Sequence, residues 1–527
     1  MATRIESVGL VVMVLLLTIS SAVMGRNCHA AEISQSIGLN KFDLLKQYTG
    51  LASGGDGSPR YRKVTQAMGK KAIADAHDAG VTYLRVSATG FGPYAFNRPG
   101  DLDLWLKNPA AYWALIDELM GDLETYGMRA VFTFIWNPVQ FPAMAGETVH
   151  DLLSNPQSRS AKLAERYILE FVQRYKGRKA VLFYELTNEL NLGADLDTVA
   201  RCRSQQQAPM CEPKSNYTTA EMIAFTRRLA GLFRGLDPAR SISSGFSVPR
   251  PAAEHLRARP EWITGKADFT PDTPVQLEKN LADIHAGVDL ISVHLYPYDG
   301  NRRFGVTDQR STALLDTLKL AADKTGKPLF IGEFGDEERL DGGMDSYTVR
   351  MLDRIVALKV PYSAVWVWEF YQKSPFITGT RHSLEPGVTD SLIDKIRQAN
   401  RRMGNSVPSG DRPDNMPPRV VLTWPLDCTI VRDGQQLHAV ASDDSGAVTR
   451  VEFWLDNVQV ATDSATPYQA TLKMDGVEAG DHALMARAFD HAGNRAEYRS
   501  RVINGKPSEG SPCGVPTEFS VSTVQHT

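Results

Sequence analysis

The sequence predicts an α/β fold, a (β/α)8 TIM barrel followed by a small all-β immunoglobulin-like sandwich, on three observations. Between about residues 34 and 400, eight short apolar runs alternate with eight amphipathic helical stretches. A segment rich in Pro, Gly, Ser and Asp then interrupts the pattern. Beyond it the apolar period changes from helical to alternating, with recurrent turn signals.

The strand candidates are 36–40, 82–87, 129–135, 180–186, 241–245, 289–294, 328–333 and 362–369. Helical patterns fall at 61–79, 109–126, 158–175, 219–236, 274–286, 312–324, 345–358 and 391–403. In the third, Leu163, Tyr167, Ile168, Phe171 and Val172 share one helical face. Several helices run into a glycine before the next strand, at Gly80, Gly127, Gly177, Gly287 and Gly326, as C-terminal caps require. An open doubly wound sheet is the structural alternative. The barrel domain is expected over 32–403, a linker over 404–418, a sandwich over 419–505 and a flexible tail over 506–527. In the sandwich, Val451, Phe453 and Leu455 alternate with polar positions, and Asp456-Asn457 and Asp475-Gly476 mark turns.

Lys and Arg total 58 and Asp and Glu 61, a net charge of −3. That balance argues against a nucleic-acid partner, which favours a basic stripe. Arg4, an apolar run over 8–20 and small residues up to Ala31 read as a secretory signal over 1–31. The run is short for a membrane span, and an uncleaved anchor is the alternative. The expected product is secreted, extracellular or periplasmic, monomeric and without membrane association. Cys28 leaves with the signal. The four cysteines that remain predict two disulfides, Cys202 with Cys211 and Cys428 with Cys513. No cluster has zinc-ligand spacing, so neither metal nor cofactor is expected.

In a barrel the chemistry sits where strands end at the C-terminal mouth. Strand four ends in Asn188-Glu189 and strand seven in Gly332-Glu333. Two glutamates facing each other across a mouth suit retaining cleavage of a glycosidic bond. One carboxyl releases the leaving oxygen as an acid and the other attacks the anomeric carbon. Arg85, on strand two, is placed to keep Glu333 ionised. Asn188 is a candidate to bond the sugar 2-hydroxyl. Glu185, four residues before Glu189, reads as an internal ion-pair partner.

These motifs resemble glycoside hydrolase family 5 and the wider clan A. The residues that carry the resemblance are Arg85, Asn188-Glu189, His294-x-Tyr296, Glu333 and Trp368, in that order on the expected strands, with the opening 37–40 run. The resemblance implies Glu189 as acid/base, Glu333 as nucleophile, Tyr296 bonded to the nucleophile, His294 shaping the site and Trp368 stacking under the sugar. Cellulose-cutting members usually carry a histidine after strand three, where this chain has Trp136. Trp136 is instead a candidate to line a sugar subsite, and mannan- as well as glucan-type polysaccharides or oligosaccharides stay open as substrates. Transglycosylation is an alternative within the enzyme class. A non-catalytic carbohydrate-binding or adhesion protein is the alternative outside it. The C-terminal segment resembles bacterial immunoglobulin-like domains through Val451-Glu452-Phe453-Trp454, Pro467-Tyr468 and the 488–494 run.

Overall fold

A computed structural model describes residues 35–49, 65–93, 95, 96, 98, 100–202, 209–212, 214–297, 303–336, 346–370, 383–386, 389–407, 417–443, 448–490, 493–511 and 513. Its N-terminal part contains eight parallel strands: β1 (Ser36–Asn40), β2 (Tyr83–Ser87), β3 (Arg129–Ile135), β4 (Val181–Thr187), β5 (Ile242–Ser243), β6 (Ile291–Leu295), β7 (Leu329–Phe334) and β8 (Tyr362–Val365). They pair in the order β5-β4-β3-β2-β1-β8-β7-β6. A parallel bridge from Ser243 to Leu290, at the foot of β6, joins the two ends and closes the sheet on itself. The fold is therefore a barrel, and the open-sheet alternative falls.

Both faces of each strand are covered, which is why the strands read as nearly continuous apolar runs rather than alternating ones. Tyr83, Val131, Phe183, Phe330 and Ala364, from five of the strands, and Leu290 at the foot of β6 fill the barrel interior as one packed cluster. Gly38 on β1 makes room for this layer, since a Cβ there would fall 2.5 Å from the Tyr83 ring. The larger core lies outside, between strands and helices, and includes Leu39, Leu84, Phe132, Phe134, Tyr184, Phe171 and Phe233.

The helices start where the local chemistry dictates. Asn108 caps the helix Pro109–Thr125 by accepting from Ala111 N, with proline in its first turn. Thr218 with Glu221 and Thr273 with Gln276 form capping boxes for Thr219–Leu236 and Pro274–Ile284. Each satisfies backbone N–H groups that a helix leaves without partners.

From Arg419 onward the chain is all-β: β9 (Arg419–Trp424), β10 (Thr429–Val431), β11 (Gln436–Ser442), β12 (Val448–Leu455), β13 (Val458–Asp463), β14 (Tyr468–Thr471), β15 (Gly480–Asp490) and β16 (Arg495–Asn504). Two sheets, β10-β16-β15-β12-β13 and β14-β11-β9, enclose a core of Val420, Leu422, Leu437, Val451, Phe453, Leu484, Ala486 and Val502. Asp456 and Asn457 turn the β12–β13 hairpin with φ of 47° and 68°, the left-handed pair that a tight hairpin needs. Both expected disulfides form, Cys202–Cys211 and Cys428–Cys513, with Cα separations of 5.4 and 5.3 Å. The expected signal over 1–31 lies outside the described residues, as do most of the linker and of the tail.

Candidate active site

The mouth of the barrel is built around one cation. Arg85, fully buried on β2, donates four hydrogen bonds and is ion-paired with two glutamates. Nε and Nη2 face Glu185 Oε1 at 2.7 and 2.6 Å. Nη1 donates to Asn40 Oδ1 at 3.0 Å and to Glu333 Oε1 at 2.8 Å, and Nη2 donates to Asn188 Oδ1 at 2.8 Å. Burial works against the guanidinium's charge, but Glu185 and Glu333 outweigh it and hold its pKa above the ordinary value. Glu185, itself fully buried, also accepts from Thr133 Oγ1 at 2.7 Å, so it serves as the internal ion-pair partner. Asn40, at the end of β1, donates from Nδ2 to Gly332 O at 2.9 Å and ties the network to β7.

Glu189 follows β4 in the left-handed region, with φ 51° and ψ 23°. Such a conformation is costly for a residue with a Cβ and recurs at functional sites. It is held by Glu189 N donating to Gly245 O at 2.8 Å and Asn188 N donating to Ile135 O at 3.0 Å. Gly245 has φ 76°, and a Cβ there would sit 1.7 Å from Thr187 O, so glycine is required where the two chain segments pass.

His294 and Tyr296 link the two glutamates. His294 Nδ1 lies 3.0 Å from Glu189 Oε1 and 3.6 Å from Glu333 Oε1. Its Nε2 is buried without a hydrogen-bond partner and faces Gly332, where a Cβ would approach to 2.6 Å. With no acceptor at Nε2, Nδ1 is the ring nitrogen placed to donate, and its partner is Glu189. Tyr296 Oη donates to Glu333 Oε2 at 2.7 Å. Burial and then the Glu333 charge push the Tyr296 hydroxyl well above its usual range, which keeps it a donor. Burial raises the Glu189 carboxyl, but the His294 hydrogen bond and charge, with Arg85 behind them, outweigh it and leave Glu189 below the usual carboxylate value.

One oxygen of Glu189, one ring nitrogen of His294 and one oxygen of Glu333 lie within 4.8 Å of one another. Three such donors are enough to hold a metal ion, but the Arg85 cation 2.8 Å from Glu333 opposes a second positive charge there.

Aromatic side chains flank this constellation. Arg85 Cζ stands 4.7 Å from the centroid of the Trp136 ring. Phe42 stacks nearly parallel to Trp136, at 5.4 Å and 17°, and to Trp366, at 5.0 Å and 11°. Trp368, expected under the sugar, requires a correction. It is fully buried, packs into the main core and donates from Nε1 to Ala72 O at 2.9 Å. The half-buried Trp366 is the one beside Phe42 and Trp136. β8 ends at Val365 rather than at 369, so strand alternation does not set the faces of these two residues.

The structure thus brings together Arg85, Asn188, Glu189, His294, Tyr296, Glu333 and Trp136, and sends Trp368 away. Sequence reasoning missed Asn40, Gly332, Gly245 and Trp366 as parts of the site. Asn40 had a signal, as the polar residue ending the first apolar run.

No curated protein matches the chain. Among solved structures, an endo-β-1,4-mannanase from Thermotoga petrophila is similar at 13% identity and TM-score 0.46, over 90% of this chain and 98% of that one. A glycoside hydrolase family 5 mannosidase from Rhizomucor miehei is similar at 14% identity and TM-score 0.44, over 70% and 93%. A β-glucuronidase from Bacteroides uniformis is similar at 12% identity and TM-score 0.41, over 90% and 46%. Residues 418–486 match the family model of the bacterial Ig domain, in agreement with the two packed sheets found there.

Proposed function

We propose that this chain is a retaining β-glycoside hydrolase acting on a β-linked, mannan- or glucan-type polysaccharide or oligosaccharide. The observation that carries the reading is the separation of the two glutamates. Their nearest oxygens are within 4.8 Å, short of the roughly 6.5–9.5 Å that an inverting enzyme leaves for a water between its carboxyls. In the first step Glu333 attacks the anomeric carbon as the glycosidic C–O bond breaks, and Glu189 donates its proton to the departing oxygen. In the second, Glu189 takes a proton from water, whose oxygen displaces Glu333 from the anomeric carbon.

The surroundings fit these roles. Arg85 and Tyr296 each give the Glu333 carboxylate a hydrogen bond, which favours its charged form before attack. The low pKa of Glu189 in the open site suits its work as base in the second step. For the first, a bound sugar that covers its one-third-exposed carboxyl adds desolvation, which raises the pKa toward an acid's. Asn188 Oδ1 is taken by Arg85, which leaves its amide N–H groups for the sugar 2-hydroxyl. We further propose that the chain is exported, with a signal at 1–31, a catalytic domain at 32–403, a linker at 404–418 and an immunoglobulin-like module at 419–505. The two disulfides support export.

The test is reducing-sugar release from mannan, glucomannan, carboxymethyl-cellulose, mixed-linkage glucan, xyloglucan and xylan, with Glu333→Ala as control. Activity on one polymer, lost in the control and partly restored by azide as an α-glycosyl azide, is expected. Proton NMR of the first product should show the β-anomer, and an α-anomer appearing first would overturn the retaining assignment.

A further inference from the structure

We propose that Trp136 is a positioning residue that acts on the nucleophile through Arg85, a role that rests on the hydrolase reading above. The edge of the Arg85 guanidinium is occupied by four hydrogen bonds, to Glu185, Asn40, Glu333 and Asn188, with Nη2 also 2.6 Å from Glu185 Oε1. Only the two faces of the guanidinium remain. One of them meets the indole of Trp136, with Cζ 4.7 Å from the ring centroid. An aromatic face there attracts the cation electrostatically and excludes water from it. The ring is in turn braced from Phe42, 5.4 Å away and within 17° of parallel, and Phe42 is braced by Trp366 at 5.0 Å and 11°.

The electrostatic consequence falls on Glu333. An ion pair of 2.8 Å counts for more at the low effective dielectric of a dry site than beside water. Trp136, half-buried where β3 opens into the mouth, is the side chain that keeps that face of Arg85 dry. Without the ring, water reaches the guanidinium, screens its charge and weakens its hold on the Glu333 carboxylate. Trp136 has no hydrogen bond to either glutamate, so its effect passes through Arg85. A residue that only stacked on a sugar would act on binding and leave nucleophile ionisation alone.

The experiment is the pH dependence of kcat/KM on a 2,4-dinitrophenyl β-glycoside of whichever sugar the wild-type enzyme accepts. That leaving group departs without a proton, so the acidic limb reports the nucleophile and not Glu189. Trp136→Leu should move the acidic limb up by about half a pH unit, the size expected of a lost cation–π contact. Trp136→Phe, which keeps a ring over the guanidinium, should hold the limb where the wild type has it. If Trp136→Leu does not fold, Trp136→Met, of similar reach and without a ring, takes its place with the same expected shift. An unmoved limb in the ringless variant, with the whole loss in KM, would overturn the positioning role in favour of sugar stacking alone. No wild-type turnover of any such glycoside would instead overturn the hydrolase reading.

Discussion

Replacing Arg85 by methionine keeps much of the side chain's reach and removes its charge and all five donors. Glu185 is then stranded, since it is fully buried and keeps only Thr133 Oγ1 at 2.7 Å and Ser243 Oγ at 3.4 Å. Breaking a buried ion pair from one side costs about 3–5 kcal/mol, because the remaining charge has neither water nor partner. In a barrel of roughly 370 residues, unfolding entropy near 2.1 cal/mol/K per residue converts each kcal/mol into about 1.3 °C. Arg85→Met should therefore lower the barrel's melting transition by about 4–6 °C. Glu185→Gln in the same chain removes the stranded charge while its amide oxygen still accepts from Thr133, and should return half or more of the loss. Calorimetric scans of the wild type, both single variants and the double variant complete a cycle. A double variant no more stable than Arg85→Met would show that stranding Glu185 is not the source of the loss. A single variant within 1 °C of wild type would refute the buried-pair reasoning as a whole.

Three further outcomes follow from particular contacts. Gly332→Ala puts a Cβ 2.6 Å from His294 Nε2, so it should cost about 1–3 kcal/mol of stability and lower kcat about tenfold or more, read by thermal melts and steady-state rates; unchanged kcat would separate His294 from the chemistry. His285 is pushed by burial down to about 4, with Nδ1 bonded to Leu281 O and Nε2 accepting from Ser292 N. Its folded pKa lies below its unfolded value of about 6.5, so stability is lost as pH falls from about 6.5 to 4; the advantage of wild type over His285→Asn should shrink by about 3 kcal/mol across that window in denaturant titrations, and a constant difference would refute it. Replacing Cys428 and Cys513 together by serine releases a loop of 85 residues, and chain entropy sets the loss at about 4–5 kcal/mol for the sandwich, measurable as a separate melting transition; a loss under 1 kcal/mol would contradict that account.

Most of the barrel is written in the sequence as periodicity, and the strands observed begin and end within two residues of the apolar runs in nearly every case. The physical reason is that strands covered on both faces are unbroken apolar segments, while the intervening helices carry their own caps. β8 is the exception. Its apolar character continues through Trp366 and Val367 to Trp368, but the strand ends at Val365, and beyond it only single bonds, Trp366 N to Phe334 O and Trp368 N to Asn40 O, reach β7 and β1. Pattern cannot distinguish a strand from an apolar segment that packs equally well, and so Trp368 reads as a mouth residue although it is buried in the core. The glutamates and Arg85 were legible because ionised groups ending apolar strands are rare without purpose. The double contact of His294 was not, since one histidine carries no mark of the two carboxylates it meets, from strands 105 and 39 residues away. Gly245 and Gly332 were equally silent, because what they exclude is visible only once the neighbouring segments are in place.

The barrel closes through its thinnest strand. β5 is two residues long, paired to β4 through Ile242 and Ser243 and to the β6 side through the single Ser243–Leu290 bridge. The backbone of Glu189 hangs on this seam by its bond to Gly245 O, while Glu333 sits on β7 between two well-paired neighbours. Fluctuations that part the seam therefore reach one carboxylate and spare the other. On the proposed mechanism, warming should end action on substrates with poor leaving groups first and leave activated ones to be cleaved until the whole barrel gives way. Heat would thus narrow what the enzyme can cut before it silences it.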